Sequence, residues 1–212
     1  MAAEERVRHP IAARLIERAM RAGERRGQDE HRRRLLDGLS GRVVEVGAGS
    51  GTNFRHYPAS VTEVVAVEPE PYLRGLAEQA AATAPVPVRV VDGVSGSLPL
   101  AEASCDAGVA CLVLCTVPDQ ERALAELARV IRPGGELRFY EHVVSHRPFE
   151  ARLQRIADAT FWPLLAGGCH MSRDTTAAIG QAGFRIESCD RFPFSPGPPV
   201  PAGPHILGTA RR

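Results

Sequence analysis

Residues 45–53 read EVGAGSGTN, an acid followed by glycines at 47, 49 and 51. Each glycine brings extra backbone entropy that folding must remove, so three at alternate positions weaken any regular element built on them. The run before them, RVVEVG at 42–47, is a short β-branched strand, and a helix is predicted from about Thr52 to Tyr57. A strand that ends in such a loop and feeds a helix offers backbone amides at close range, at the positive end of that helix. The loop is therefore built to hold a nucleotide-like ligand.

The pattern repeats outward from there. VTEVVAVEP at 61–69 predicts a second strand, with a helix from about Glu70 to Thr83; VPVRVVDG at 86–93 predicts a third, and CDAGVACLVL at 105–114 a fourth, apolar on both faces. DQERALAELARVI at 119–131 has helical spacing and stops at RPGG, and GELRFYEHVV at 135–144 gives the fifth strand. Helical stretches near 148–161 and 172–182 precede GFRIESCDRFPF and HILGTAR, which are separated by a proline-rich loop and predict a terminal antiparallel hairpin. The expected fold is α/β, a Rossmann-like doubly wound sheet of seven strands, mostly parallel, with helices on both faces. In such a sheet the ligand lies beyond the carboxyl ends of the central strands.

Before this core, residues 1–40 carry apolar Ile11, Leu15, Ile16 and Ala19 at helical spacing, then Leu35, Leu36 and Leu39. They are read as an N-terminal helical lid ahead of a single domain at 41–212. Their excess of arginine is read as a solvated face rather than an anionic-partner site. All 26 basic residues are arginine, which removes lysine from the candidate bases, and a net charge of +1 gives no reason to expect nucleic acid. The five cysteines form no CxxC pair, no apolar run reaches membrane-span length, and the N-terminus has no signal-peptide core. A cytoplasmic location without an integral membrane segment is expected.

Glu68 closes the second strand, where a carboxylate can accept both hydroxyls of a ribose. A dinucleotide fingerprint would place glycine at 52, where this chain has Thr52. E-x-G-x-G-x-G, the acid after strand two, the stretch from Asp106 and RPGGELRF together resemble the class I S-adenosylmethionine-dependent methyltransferases, across residues 40–144. CLVLCTVPDQE, RPGGELRFYEHV, the segment from Asp158 to Cys169 and the closing PHILG are similar to the alkyl thiol methyltransferases of the methyltransferase-like seven group and their bacterial relatives. The resemblance implies S-adenosylmethionine as cofactor. It implies Glu45, Gly47, Ala48, Gly49, Gly51 and Asn53 at the methionine end, Glu68 at the ribose, Pro69 beside the adenine, and Val94 with Ser95 along its edge. Many class I enzymes have an aspartate near 94, so Val94 leaves the adenine amino group to backbone or to Ser95. Cys111 and Leu112 are implied beside the methyl group.

The acceptor is read as a small molecule. A thiol asks least of a site, because with a pKa near 8.5 it is already partly thiolate at neutral pH. His142 and Glu141 on strand five are the candidate bases, with His142 first because a histidine near half-protonation suits the task; His56, His170 and His205 are further candidates. A structural role, tying a loop carbonyl, is the competing reading for His142. Cys169-His170 lacks further ligands at a recognisable spacing, so no metal is expected. Methylation of oxygen, nitrogen or carbon on a natural product, quinone or lipid, a nicotinamide oxidoreductase, and a non-catalytic cofactor-binding protein remain the alternatives.

Overall fold

The computed structural model describes residues 23–195, 197 and 202–212, together with Arg14 and Glu17; the helix read over Ile11 to Ala19 falls outside them. After a turn at Glu24–Gln28 come α1 (Asp29–Leu36), β1 (Gly41–Val46), β2 (Val61–Val67), α2 (Pro71–Ala81), β3 (Val88–Val91), β4 (Cys105–Cys111), α3 (Gln120–Val130) and β5 (Ile131–His142). Then follow α4 (Pro148–Asp158), α5 (Trp162–Leu165), α6 (Thr175–Gln181), β6 (Arg185–Phe194) and β7 (Gly203–Arg211). The seven strands form one sheet in the order β3-β2-β1-β4-β5-β7-β6. All pairings from β3 to β5 are parallel; β7 runs antiparallel between β5 and β6, so the terminal hairpin completes the sheet.

Alternation along each strand divides the core in two. Val44 and Val46 face Leu124, Leu127 and Val130 of α3 and Ile179 of α6. Val43, Val64 and Val109 face the other way, against Leu35 and Leu36 of α1 and Ala77 of α2. Local chemistry sets the helix starts: Glu70 caps α2 by accepting from the Leu73 amide at 2.8 Å, and Asp119 caps α3 by accepting from Arg122 at 2.9 Å.

Three boundaries differ from the sequence reading. The helix expected after the glycine loop is a single 3₁₀ turn, Phe54–His56. The fourth strand ends at Cys111 rather than 114, because Leu112 takes a φ of 56°, a region a side chain rarely adopts, and turns the chain. The fifth strand begins at Ile131, directly after α3, with Gly134 at a φ of 77° inside its irregular start.

Leu35 and Leu36 are buried to 1% and 0% exposure, so α1 is part of the core rather than an appendage. Leu36→Ala is expected to lower stability by about 2–5 kcal/mol in urea unfolding, as a buried Leu→Ala change does. A loss below ~1 kcal/mol would mean that α1 packs independently.

Candidate active site

Glu45 is the last polar residue of β1 and is only 2% exposed. Strand alternation points it to the α1 side of the sheet, where the Asn53 side-chain amide donates to Oε1 at 2.8 Å and the Tyr57 hydroxyl to Oε2 at 2.7 Å. Burial pushes its pKa up to about 7, against the pull of those two donors and of Arg32. Asn53 in turn accepts from Nη1 of Arg32 at 2.9 Å, and the same nitrogen lies 3.0 Å from Sγ of Cys111, at the end of the neighbouring β4. Nε of Arg32 donates to Glu24 at 2.7 Å. The first helix, the glycine loop and β4 thus meet in one buried polar cluster.

Gly47, Gly49 and Gly51 have φ values of 64°, 58° and 78°, which side chains rarely adopt. A Cβ on Gly47 would come within 2.3 Å of Val113, so the loop also packs too closely for anything larger. Ala48, between two of them, is buried, and its amide donates to the Val67 carbonyl at 3.2 Å. Glu68 holds the loop from the adjacent strand: Oε2 accepts from the Gly49 amide at 2.8 Å and Oε1 from the Glu70 amide at 3.0 Å. Burial raises its pKa, and those two amides oppose the rise. Pro69 follows it, half-buried, and Val94 and Ser95 sit in the turn after β3, closed by the Ser97 amide on the Val94 carbonyl. Cys111 is buried and its thiol is pushed up to about 12, so it stays neutral. Leu112, beside it, donates its amide to the Tyr140 carbonyl at 2.7 Å.

Strand five separates the two proposed bases. Adjacent residues of a strand face opposite sides, so Glu141 and His142 never share a surface. Glu141 is fully buried; Oε1 accepts from the amides of Val113 and Leu114 at 3.0 and 2.9 Å, and Oε2 from Cys115 at 3.1 Å. Both oxygens thus hold the loop after β4, and burial pushes the Glu141 pKa well above the ordinary carboxylate value against those amides. His142 pairs across the sheet with His205, their rings stacked at 4.9 Å and 21°. Its Nδ1 lies 3.7 Å from Sγ of Cys169. Burial pushes the His142 pKa down to about 4 and that of His205 to about 3. Both are neutral at pH 7, contrary to the expectation that His142 is near half-protonation. Cys169 is also coupled to Cys115, whose hydrogen bond draws the Cys169 pKa below the ordinary thiol value against burial.

The remaining histidines are engaged elsewhere. His170 bonds its own loop through the Gly168 carbonyl at 2.8 Å, and His56 lies 3.0 Å from Asp29 in an ion cluster with Arg55. Among the described residues, the one group that gathers potential metal ligands is Glu24, Asp29 and His56; its carboxylates already pair with Arg32 and Arg55. Sequence reasoning missed Arg32 and Tyr57. Arg32 did leave a signal: with Leu35, Leu36 and Leu39 it completes a 32, 35, 36, 39 helical stripe.

The methyltransferase domain family matches residues 44–139, from β1 through β5. Thiol S-methyltransferase TMT1B of Mus musculus is 36% identical over 82% of this chain and 73% of its own length. The human protein of that name is 34% identical over the same shares. This chain belongs to the S-adenosylmethionine-dependent methyltransferases. A solved methyltransferase of that dependence from Mesorhizobium loti aligns with a TM-score of 0.60 at 21% identity, covering 85% of this chain and 95% of that one, and shows the shared fold.

The residues present fit that cofactor. Its methionine end carries an ammonium and a carboxylate, and this methyltransferase gathers buried Glu45 and buried Arg32 at one end of a glycine loop whose backbone admits close approach. Glu68 directly follows the next strand and holds the glycine loop. When bound, S-adenosylmethionine supplies a methyl group on a sulfonium, ready for in-line displacement.

Two outcomes test this assignment. Glu68→Ala is expected to weaken S-adenosylmethionine binding by about tenfold or more, the loss of charge-assisted bonds of about 1.5–3 kcal/mol each; calorimetry on the purified protein reads it, with circular dichroism to check the fold. Because the Glu45 pKa lies near 7 and its carboxylate form attracts a cationic ligand, affinity should fall as pH drops from 8 to 6. In Glu45→Gln that pH dependence should flatten.

Proposed function

We propose that this methyltransferase transfers its methyl group to a small-molecule thiol, and that the acceptor brings the acidity the reaction needs. The observation that carries this reading is the lack of a strong base on strand five. Glu141 is buried against three amides where its protonated form is favoured, and His142 is held near a pKa of 4. An alkyl hydroxyl would need a proton taken from it, whereas a thiol near pKa 8.5 presents a useful thiolate fraction unaided. The names of the relatives support the same acceptor.

In the proposed mechanism Glu45, the glycine loop, Glu68, Pro69, Val94 and Ser95 hold the donor, and Cys111 and Leu112 wall the methyl end. Positioning donor and acceptor in near-attack geometry accounts for as much as about 7–11 kcal/mol of barrier in such displacements. His142, beside Cys169, orients the incoming sulfur or takes its proton after encounter; it is a positioning residue first. A small acceptor rather than nucleic acid suits the near-neutral net charge. The five cysteines are free, which suits a reducing cytoplasm, and among the described residues no helix is long and apolar enough to cross a membrane.

The test is methyl transfer from labelled S-adenosylmethionine to a panel of thiols, phenols, amines and quinones. Label is expected on thiols alone, with turnover rising with pH toward the pKa of each thiol and no inflection between pH 6 and 7 from His142. His142→Ala should lower thiol turnover by less than about tenfold, below the usual range for loss of a general base. Label on quinones or phenols would discard the thiol and keep the methyltransferase.

A further inference from the structure

We infer that Cys169 and Cys115 form a peroxide-sensitive dithiol: Cys169 meets the oxidant, Cys115 closes the disulfide, and the bridge clamps the loop after β4. The turn that follows α5 carries Cys169 to that loop. Gly167 and Gly168 bend the chain at φ values of 60° and 91°, and the His170 amide then donates to the Cys115 carbonyl at 2.7 Å. Even fully extended, the path through that bond spans about 7.5 Å between the two Cys Cα atoms, so little or no movement reaches the roughly 4.4–6.8 Å of a disulfide. A Cβ on Gly168 would meet Thr116 at 3.4 Å, so the two segments are in contact there. The thiols already share a hydrogen bond, from Cys115 to the Cys169 sulfur.

The surroundings divide the two roles. Cys169 is half-buried and Cys115 is buried, so an oxidant from solvent meets Cys169 first. Three groups gather at the Cys169 sulfur: the Cys115 thiol, Nδ1 of His142 at 3.7 Å, and Trp162, whose buried indole N–H has no acceptor in hydrogen-bond geometry and favours the Cys169 thiolate. A thiolate is the form that attacks peroxide. The shared hydrogen bond, followed by burial, pushes the Cys115 thiol well above its ordinary value, so it keeps its proton until Cys169 has reacted. Among the described residues the other cysteines face different groups. Cys105 lies 3.9 Å from the Ser104 hydroxyl, Cys111 lies 3.0 Å from the Arg32 guanidinium, and Cys189 is exposed on β6.

The oxidation balances with hydrogen peroxide as oxidant. The Cys169 thiolate attacks one peroxide oxygen; the S–O bond forms, the O–O bond breaks, and the departing hydroxide takes up the proton the thiol released. A sulfenic acid and one water result. The Cys115 sulfur then attacks the sulfenic sulfur; the S–S bond forms, the S–O bond breaks, and hydroxide leaves with the Cys115 proton as a second water. The pair of thiols loses two electrons and two protons, and one peroxide is reduced to two waters.

The test treats the reduced full chain with hydrogen peroxide, alkylates the remaining thiols in denaturant and maps the peptides by mass spectrometry. Two of the five free thiols should disappear into one crosslinked pair of peptides that holds Cys115 and Cys169, and dithiothreitol should restore them. Cys169 should react about tenfold or more faster than exposed Cys189, because thiolate character rather than exposure alone sets the rate. Trp162, the single tryptophan of the chain, reports the same event: its fluorescence should fall on oxidation and recover on reduction. In Cys115→Ser a sulfenic acid should accumulate at Cys169, trapped by dimedone, with no bridge, whereas Cys189→Ser should leave the crosslink unchanged. Oxidation that falls first on Cys189, or a wild-type chain that keeps Cys115 open to alkylation after Cys169 has reacted, would overturn the inference. Should Cys115→Ser fail to fold, the wild-type map still decides. Amide exchange over 113–117 reads the clamp: protection should rise in the bridged form, and equal exchange in the two forms would overturn that part of the inference.

Discussion

A carboxylate buried at the end of the central strand is the constraint around which this site is arranged. Glu45 sits in the middle of the sheet, between β2 and β4, where an uncompensated charge would be expensive. Its two donors come from the segment that follows the glycine loop, so satisfying Glu45 and folding that segment back over β1 are the same event. Arg32 extends the network to a helix that precedes the sheet in sequence. One acid thereby fixes the relative placement of three pieces of chain.

Two further acids do comparable work on backbone amides. Glu68 joins the glycine loop to the end of β2, and Glu141 gathers three consecutive amides of the loop after β4. Loops at the carboxyl edge of a parallel sheet have no ladder to satisfy their N–H groups, and a buried carboxyl supplies acceptors for them, while burial raises both pKa values. Rigidity where donor and acceptor must be aligned follows from this use of acids.

How far the sequence reached depends on which physical signal each feature left. The alternation of strands and helices, the terminal hairpin and the glycine loop were legible because they rest on periodicity and on glycine's freedom at positive φ. The end of β4 was not: CLVL continues the apolar run, and the turn at Leu112 is imposed by the amides that Glu141 collects, a long-range cause that a local pattern does not record. Arg32 was half-legible. It occupies the apolar stripe of α1, but in a segment crowded with arginines only its partners, Asn53 and Cys111, distinguish it from its solvated neighbours. Glu141 and His142 could have been separated from sequence alone, since strand alternation sends neighbours to opposite faces.

Burial, against the pull of Asp158 and Glu141, explains why His142 is so weak a base, and it lies opposite His205 in the sheet. Cross-strand register sets the rings face to face, and each sits where a charge on one would repel a charge on the other. Glycine at 203 leaves room for the ring, since a Cβ there would lie 2.6 Å from Nε2. A desolvated neutral imidazole with a pKa near 4 abstracts a proton from a weak acid poorly. On the proposed reading, that leaves the choice of acceptor to the acceptor's own acidity, so the pKa of the incoming group, more than any single side chain, would decide what this site methylates.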